Sequence, residues 1–238
     1  MSSRTAFLNK FKIITSQKEK EFKSKKNTVS LFLGEDSRGN YHRWIEKVYK
    51  EKSNLEKDFN FLKILKKNGV KVPQVYCHEK NENLVIMEYI QGTILLNYIE
   101  NFEKNNIKDE RLKKVINILL NWLNDFYSVF YENSDYIMED INFRNFIIRD
   151  NTIWGLDFED CVQGRKERDI GRICAFAVSY NPPFSRWKIN MVKIFLQMSL
   201  NSFDLNIMEI EKAFWEELKA IEKRRNLDLE NYAGLDLF

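Results

Sequence analysis

Three residues in the middle of the chain have types and spacing that could do chemistry together: Asp140, Asn145 five positions on, and Asp157 twelve beyond that. A carboxylate beside a hydroxyl can orient it and accept its proton. An amide oxygen and a second carboxylate are hard donors of the kind that hold Mg2+ against phosphates. Transfer of a phosphoryl group to an alcohol asks for all three, with Asp140 in the first role and Asn145 and Asp157 in the second. An aspartate of ordinary pKa, ~3.9, is a weak base. A loose transition state requires little early proton transfer, however, so no strong tuning is needed.

Other chemistries are poorly served. His42 and His78 are the only histidines, and neither has a partner motif for a hydrolase triad. Cys77, Cys161 and Cys174 are odd in number and widely spaced, which suggests reduced thiols rather than a disulfide framework or zinc site. The 38 Lys and Arg against 35 Asp and Glu leave a net charge of +3, dispersed along the chain, so no nucleic-acid partner is expected. The densest basic stretch, Lys18 to Lys26, is broken by Glu19 and Glu21 and reads as a solvated face. No apolar run reaches the ~18 residues needed to span a bilayer and no long apolar leader opens the chain, so a cytoplasmic enzyme with no membrane partner is expected.

The elements that must position these residues follow from periodicity. VSLFLG from Val29 and YHRWIEKVYK, on either side of a polar loop containing Gly34 and Gly39, predict a β-hairpin. From Ser53, apolar residues at Leu55, Phe59, Leu62 and Leu65 predict a helix that stops near Gly69 and Pro73. NLVIMEYIQG predicts a strand that runs into a turn. The stretch from about Asp109 to Phe130 places Leu112, Val115, Ile116, Leu119, Leu120, Leu123, Phe126 and Phe130 on one helical stripe. NFIIRD and NTIWGLDF around Asp150-Asn151 predict a second hairpin, and helical spacing prevails from Arg168 to the end. Trp122, Trp154, Trp187 and Trp215 are assigned to packing. The expectation is an α+β chain with a cleft between its halves.

On these residues the sequence resembles the aminoglycoside phosphotransferase and choline kinase group of the protein-kinase-like superfamily. D-I-N-F-R-N from Asp140 to Asn145 is similar to the D-x-x-x-x-N catalytic loop, and L-D-F-E-D stands where a metal-binding Asp-Phe-Gly would stand. Asp169-Ile170 resembles the Asp-Leu pair whose Asp braces that loop. Met87 to Gly92, M-E-Y-I-Q-G, looks like the nucleotide hinge, which assigns Glu88, Tyr89 and Ile90 to nucleotide binding. The resemblance implies a strand lysine on the phosphates, Lys47, steadied by a helix carboxylate, either Glu56 or Asp58. It runs from about Val29 to Ile173. Met138-Glu139 replaces the usual His-Gly, and only Gly34 and Gly39 stand where protein kinases have a glycine-rich loop. Glu159 and Asp160 could hold metal or attract a cationic substrate.

The implied fold is two-lobed and protein-kinase-like, with a β-rich N-lobe over residues 1–89 and a larger helical C-lobe over 90–238. The implied activity moves the γ-phosphate of ATP or GTP, with Mg2+, to a small hydroxyl-bearing acceptor such as an aminoglycoside, amino alcohol or sugar. The alternatives are an atypical protein kinase and an inactive pseudokinase that only binds nucleotide or protein.

Overall fold

The computed structural model describes residues 3–130, 135–225 and 237–238. The chain divides into two compact units, Met1–Gln91 with Leu156–Asp160, and Gly92–Gly155 with Cys161–Phe238.

The first unit contains α1 (Ser3–Lys10), β1 (Ile13–Phe22), β2 (Thr28–Asp36), β3 (Tyr41–Val48), α2 (Lys52–Lys67), β4 (Val75–Glu79) and β5 (Leu84–Glu88). The strands form one antiparallel sheet in the order β1-β2-β3-β5-β4. The expected first hairpin is β2 and β3, in register from Thr28 opposite Val48 to Glu35 opposite Tyr41. Its turn is set by Asp36, whose carboxylate accepts the N–H groups of Arg38 and Asn40 at 2.8 and 2.9 Å. α2 buries Leu55, Asp58, Phe61, Leu62 and Leu65. Trp44, Leu84 and Ile86 of the sheet pack with Phe7 of α1 in one cluster, while Val85 and Met87, which alternate to the other face, are buried as well.

Neither α1 nor β1 has a signature in the apolar pattern. The sequence of β1, IITSQKEKEF, is exposed at every position except its two ends. It is an edge strand whose charges discourage pairing with another chain. The Lys18 to Lys26 stretch is therefore the solvated face it was expected to be, on an element that was not expected. Its last residues form the turn from β1 to β2, Lys23-Ser24-Lys25-Lys26-Asn27, which has no glycine. Gly34 lies inside β2, where a Cβ would meet the side chains of Ile13 and Trp44 at 2.8 Å, so its smallness serves packing.

The second unit contains β6 (Thr93–Ile94), α3 (Leu95–Lys104), α4 (Glu110–Ser128), β7 (Tyr136–Ile137), β8 (Phe146–Arg149), β9 (Thr152–Gly155), β10 (Val162–Gln163), α5 (Lys166–Ser179), α6 (Arg186–Ser202) and α7 (Ile207–Arg225). α4 starts at Asp109, whose carboxylate caps the N–H of Arg111 at 3.0 Å. Every residue of the expected stripe on α4 is buried, as are Trp122 and Trp187. β8 and β9 form the second expected hairpin, with Asp150 and Asn151 at φ 49° and 56°, the pair of positive angles a two-residue turn demands. α5 packs against α7 with Gly171 at the contact. A Cβ there would lie 2.5 Å from the carbonyl oxygen of Ile210, so only glycine permits this approach. The helical spacing expected to the end of the chain holds through α7, and 226–236 lie outside the described residues. No helix among the described residues is long and apolar enough to cross a membrane. All three cysteines are buried thiols.

Candidate active site

In the first unit the chemistry gathers on Lys47. It sits in β3, a central strand, and its ammonium is 2.8 Å from Asp58 Oδ2, 2.7 Å from Asp157 Oδ1 and 3.6 Å from Glu159 Oε2. Burial alone would lower its pKa. Asp58, then Asp157 and Glu159, outweigh that and hold it above the ordinary lysine range. Asp58 is 1% exposed and fully engaged. Its Oδ1 accepts the N–H of Phe158 at 2.9 Å, and its Oδ2 accepts the Tyr49 hydroxyl as well as Lys47. One carboxylate on α2 thus fixes both the lysine and the segment that carries Asp157. Asp157 itself has φ 65°, an uncommon conformation for a residue with a Cβ. Burial raises the Glu159 carboxyl above its ordinary range, against the pull of Lys47. Its Oε2 accepts the Asn27 amide at 2.7 Å.

Glu56 is not the partner of Lys47. It lies about 160° round the helix from Asp58 by the 3.6-residue repeat, and it pairs instead with Lys80 at 2.8 Å. Asp58 shares the buried stripe of Leu55, Leu62 and Leu65, so the helix delivers that carboxylate, and not the longer glutamate, to the sheet. The side chain of Glu88 is likewise spent locally, where it accepts the N–H of Gln74 at 3.0 Å and approaches Lys66 at 3.5 Å. The β3–β5 ladder ends at Trp44 opposite Glu88, so Tyr89 and Ile90 leave the sheet with main-chain groups outside it. The Ile90 side chain is buried.

In the second unit Asp140 and Asn145 share one loop, closed by a short 3-10 turn at Phe143–Asn145. The Asn145 amide donates to the Asp140 carbonyl at 2.7 Å, which leaves the Asn145 side-chain oxygen as an acceptor. Asn142 accepts the N–H of Arg144 at 3.0 Å and brings its amide to 3.4 Å from Asp140 Oδ1. Asp169, wholly buried on α5, holds the start of the loop. Its carboxylate accepts the N–H groups of Met138 and Glu139 at 2.9 and 3.2 Å and the Tyr127 hydroxyl at 3.2 Å. Glu139 occupies the place of the usual glycine and keeps a positive φ of 64°, a conformation that costs a residue with a Cβ of order 1–3 kcal/mol. Besides Asp169, its ion pairs with Arg168 at 2.9 Å and Arg172 at 2.8 Å offset that cost.

Burial pushes the Asp169 carboxyl up to about 6, against the two N–H groups. The folded state therefore holds this proton more tightly than the unfolded chain, whose aspartate titrates near ~3.9. The stability contribution is complete below pH ~3.9 and is lost as pH rises to about 6. Urea unfolding of wild type and Asp169→Asn across this window should differ in slope by a total of about 3 kcal/mol. Parallel curves would show that Asp169 does not titrate there.

Comparison with known proteins bears on the fold and the family. The model of the RIO domain matches residues 3–176. The amicoumacin kinase hAmiN in complex with AMP-PNP, Ca2+ and Ami is similar with a TM-score of 0.61 and 11% identity, over 97% of this chain and 88% of that one. The aminoglycoside phosphotransferase APH(2'')-Ib bound to ADP aligns with a TM-score of 0.49 and 14% identity, over 98% and 94%. No curated protein is matched. The likeness to the first structure shows the expected α+β kinase-like fold. The family match carries the kinase-like part of the resemblance and not its finer aminoglycoside or choline kinase part. Since that match covers residues 3–176 of a 238-residue chain, the protein belongs to the RIO-domain family, a kinase-like family of atypical kinases.

Proposed function

We propose that the protein is a phosphotransferase that moves the γ-phosphate of ATP or GTP to a hydroxyl of a small molecule. One observation carries the reading. Lys47, buried in a strand, is held by Asp58 and by Asp157 at once, an arrangement that keeps a fixed positive charge beside a half-exposed carboxylate. A phosphate chain with its cation is complementary to that pair. Lys47 would bind phosphate oxygens, Asp58 would orient Lys47, and the chain at Glu88, Tyr89 and Ile90 would present main-chain groups to the base. Asp140 would orient the acceptor hydroxyl and take its proton.

Asp157 and Asn145 would hold Mg2+, and their oxygens suit a hard cation. Among the described residues no group of three or more His, Cys, Asp or Glu side chains could hold a metal by itself. Bound at Asp157 and Asn145, the ion supplies neutralisation of charge that develops on the transferred group. The similar amicoumacin kinase binds AMP-PNP and Ca2+, which supports a nucleotide with a divalent cation here. The family match favours a second reading, in which the hydroxyl belongs to a protein.

The test is a thermal-shift titration with ATP and GTP, with and without Mg2+. Ligand at ~100 times Kd should add ~2.7 kcal/mol, roughly 5 to 10 °C for a chain of this size. The shift should need Mg2+ and vanish in Asp157→Ala. Absence of any shift in the wild type at millimolar nucleotide would overturn the reading. Transfer to a generic protein substrate, with none to small alcohols, would establish the second one.

A further inference from the structure

Beside the Asp140 loop the second unit gathers positive charge that the loop's own chemistry does not use. Tyr180 follows α5, is buried, and accepts the N–H of Phe143 on its hydroxyl at 3.3 Å, which ties it to the turn between Asp140 and Asn145. The Arg144 guanidinium lies 5.1 Å from the centroid of the Tyr180 ring, and that of Arg225, at the end of α7, lies 5.7 Å from the same centroid. Arg225 is anchored by donating to the Ser179 carbonyl at 3.0 Å and to the Ser179 hydroxyl at 3.2 Å. Both arginines are exposed.

Their neighbours behave differently. Arg168 and Arg172 pair with Glu139, and Arg172 and Arg224 pair with Glu217. Among the described residues, no carboxylate lies within ion-pair distance of Arg144 or Arg225. The charges also sense one another. Burial lowers the Arg225 pKa, Tyr180 and the more remote Glu217 oppose that, and the positive charges of Arg144 and Arg224 add to it. Burial pushes the Tyr180 phenol up to about 12, with Arg144 and Arg225 opposing and Asp140 adding to the rise. One phenol is therefore within electrostatic reach of Asp140 and of both guanidiniums. Two like charges of exposed residues held against one ring are relieved by an anion, and a guanidinium fork matches phosphate and carboxylate oxygens.

We propose that the alcohol presented to Asp140 carries an oxyanion, a phosphate or carboxylate on the same small molecule, and that Arg144 and Arg225 hold it. The proposal rests on the phosphotransferase reading and narrows its acceptor, since a cationic amine placed there would be repelled by both side chains. An aminoglycoside or amino alcohol fits poorly; a phosphorylated or carboxylated polyol fits.

The test uses the full chain and four small probes of similar size and different charge: glycerol 3-phosphate, glycerate, glycerol and ethanolamine. Binding is measured by calorimetry with saturating ADP and Mg2+ and again without nucleotide. An anion should bind while glycerol and ethanolamine do not, and the tighter of the two anions identifies the group. Arg144→Ala and Arg225→Ala should each weaken that binding about 10- to 100-fold, the worth of a hydrogen bond to a charged group. Arg149→Ala, an exposed arginine paired with Asp150, should leave it unchanged. Unaltered ADP and Mg2+ shifts in the variants report that they are folded. Anion binding that survives in the double variant, a preference for ethanolamine, or no anion binding by the wild type at ~10 mM each overturns the proposal. Any of these with an intact nucleotide shift leaves the phosphotransferase reading standing. Loss of the nucleotide shift in wild type strikes that reading instead.

Discussion

Asp140→Asn should lower nucleotide turnover by about 10²- to 10⁴-fold, the range for loss of a positioned general base, and should leave the Mg2+-dependent nucleotide shift in place. The substitution keeps the side-chain shape and removes only the proton-accepting charge. The loop should survive it, because its shape is fixed by other groups: Asp169 on the N–H groups of Met138 and Glu139, and the Asn145 amide on the main-chain carbonyl of residue 140. The Asn142 amide reaches the Asp140 carboxylate at 3.4 Å, a long contact that the asparagine oxygen would keep. Steady-state ADP release and a melting curve on the same samples measure both halves. Turnover near that of wild type would remove Asp140 from the chemistry. A collapse of the melting temperature would make it a structural residue instead.

The chemistry-bearing loop was legible in the sequence because its spacing is local. Asp140 and Asn145 lie within one turn of chain, and the Asp150-Asn151 hairpin beside them announces itself by the residues its positive φ angles require. The α4 stripe was legible for the same reason, a repeat read within one helix. Pairings between distant elements were not. Whether Lys47 meets Glu56 or Asp58 depends on which face of α2 lies on the sheet. The deciding signal was a carboxylate on the stripe of Leu55, Leu62 and Leu65, where an acid has no reason to be unless something buried needs it. β1 escaped notice because a charged edge strand has no apolar alternation to detect. The meeting of Arg144 with Arg225 joins a loop to the far end of α7, 81 residues on, and no local pattern encodes it.

Lys47→Met should be the most destabilising substitution in the first unit, by about 3–5 kcal/mol, as expected when one partner of a buried ion pair is removed. That corresponds to roughly 6 to 20 °C in melting temperature for a chain of this size. The asymmetry of the cluster decides which partner matters more. One ammonium faces three carboxylates, so its removal leaves Asp58, 1% exposed, beside Asp157 without a cation, and leaves Glu159, 2% exposed, with only the more distant Lys26 at 3.9 Å. Asp58→Ala should cost less, because Lys47 keeps Asp157 and Glu159, and the loss is confined to acceptors for Tyr49 and the Phe158 N–H. Glu56→Ala, which breaks the surface pair with Lys80 at 2.8 Å and the longer contact with His78 at 3.8 Å, should cost far less than either. The pH dependence separates charge from packing. With its pKa raised, Lys47 contributes fully at every pH below the ordinary lysine value of ~10.4. The deficit of Lys47→Met should therefore be level near neutrality and shrink toward acid pH, where Glu159, its carboxyl raised by burial, takes up a proton and leaves less charge unpaired. Denaturant unfolding of the three variants at pH 7 and pH 4 measures this. A deficit that is the same at both would mean that the lysine stem, and not its charge, is what the fold requires.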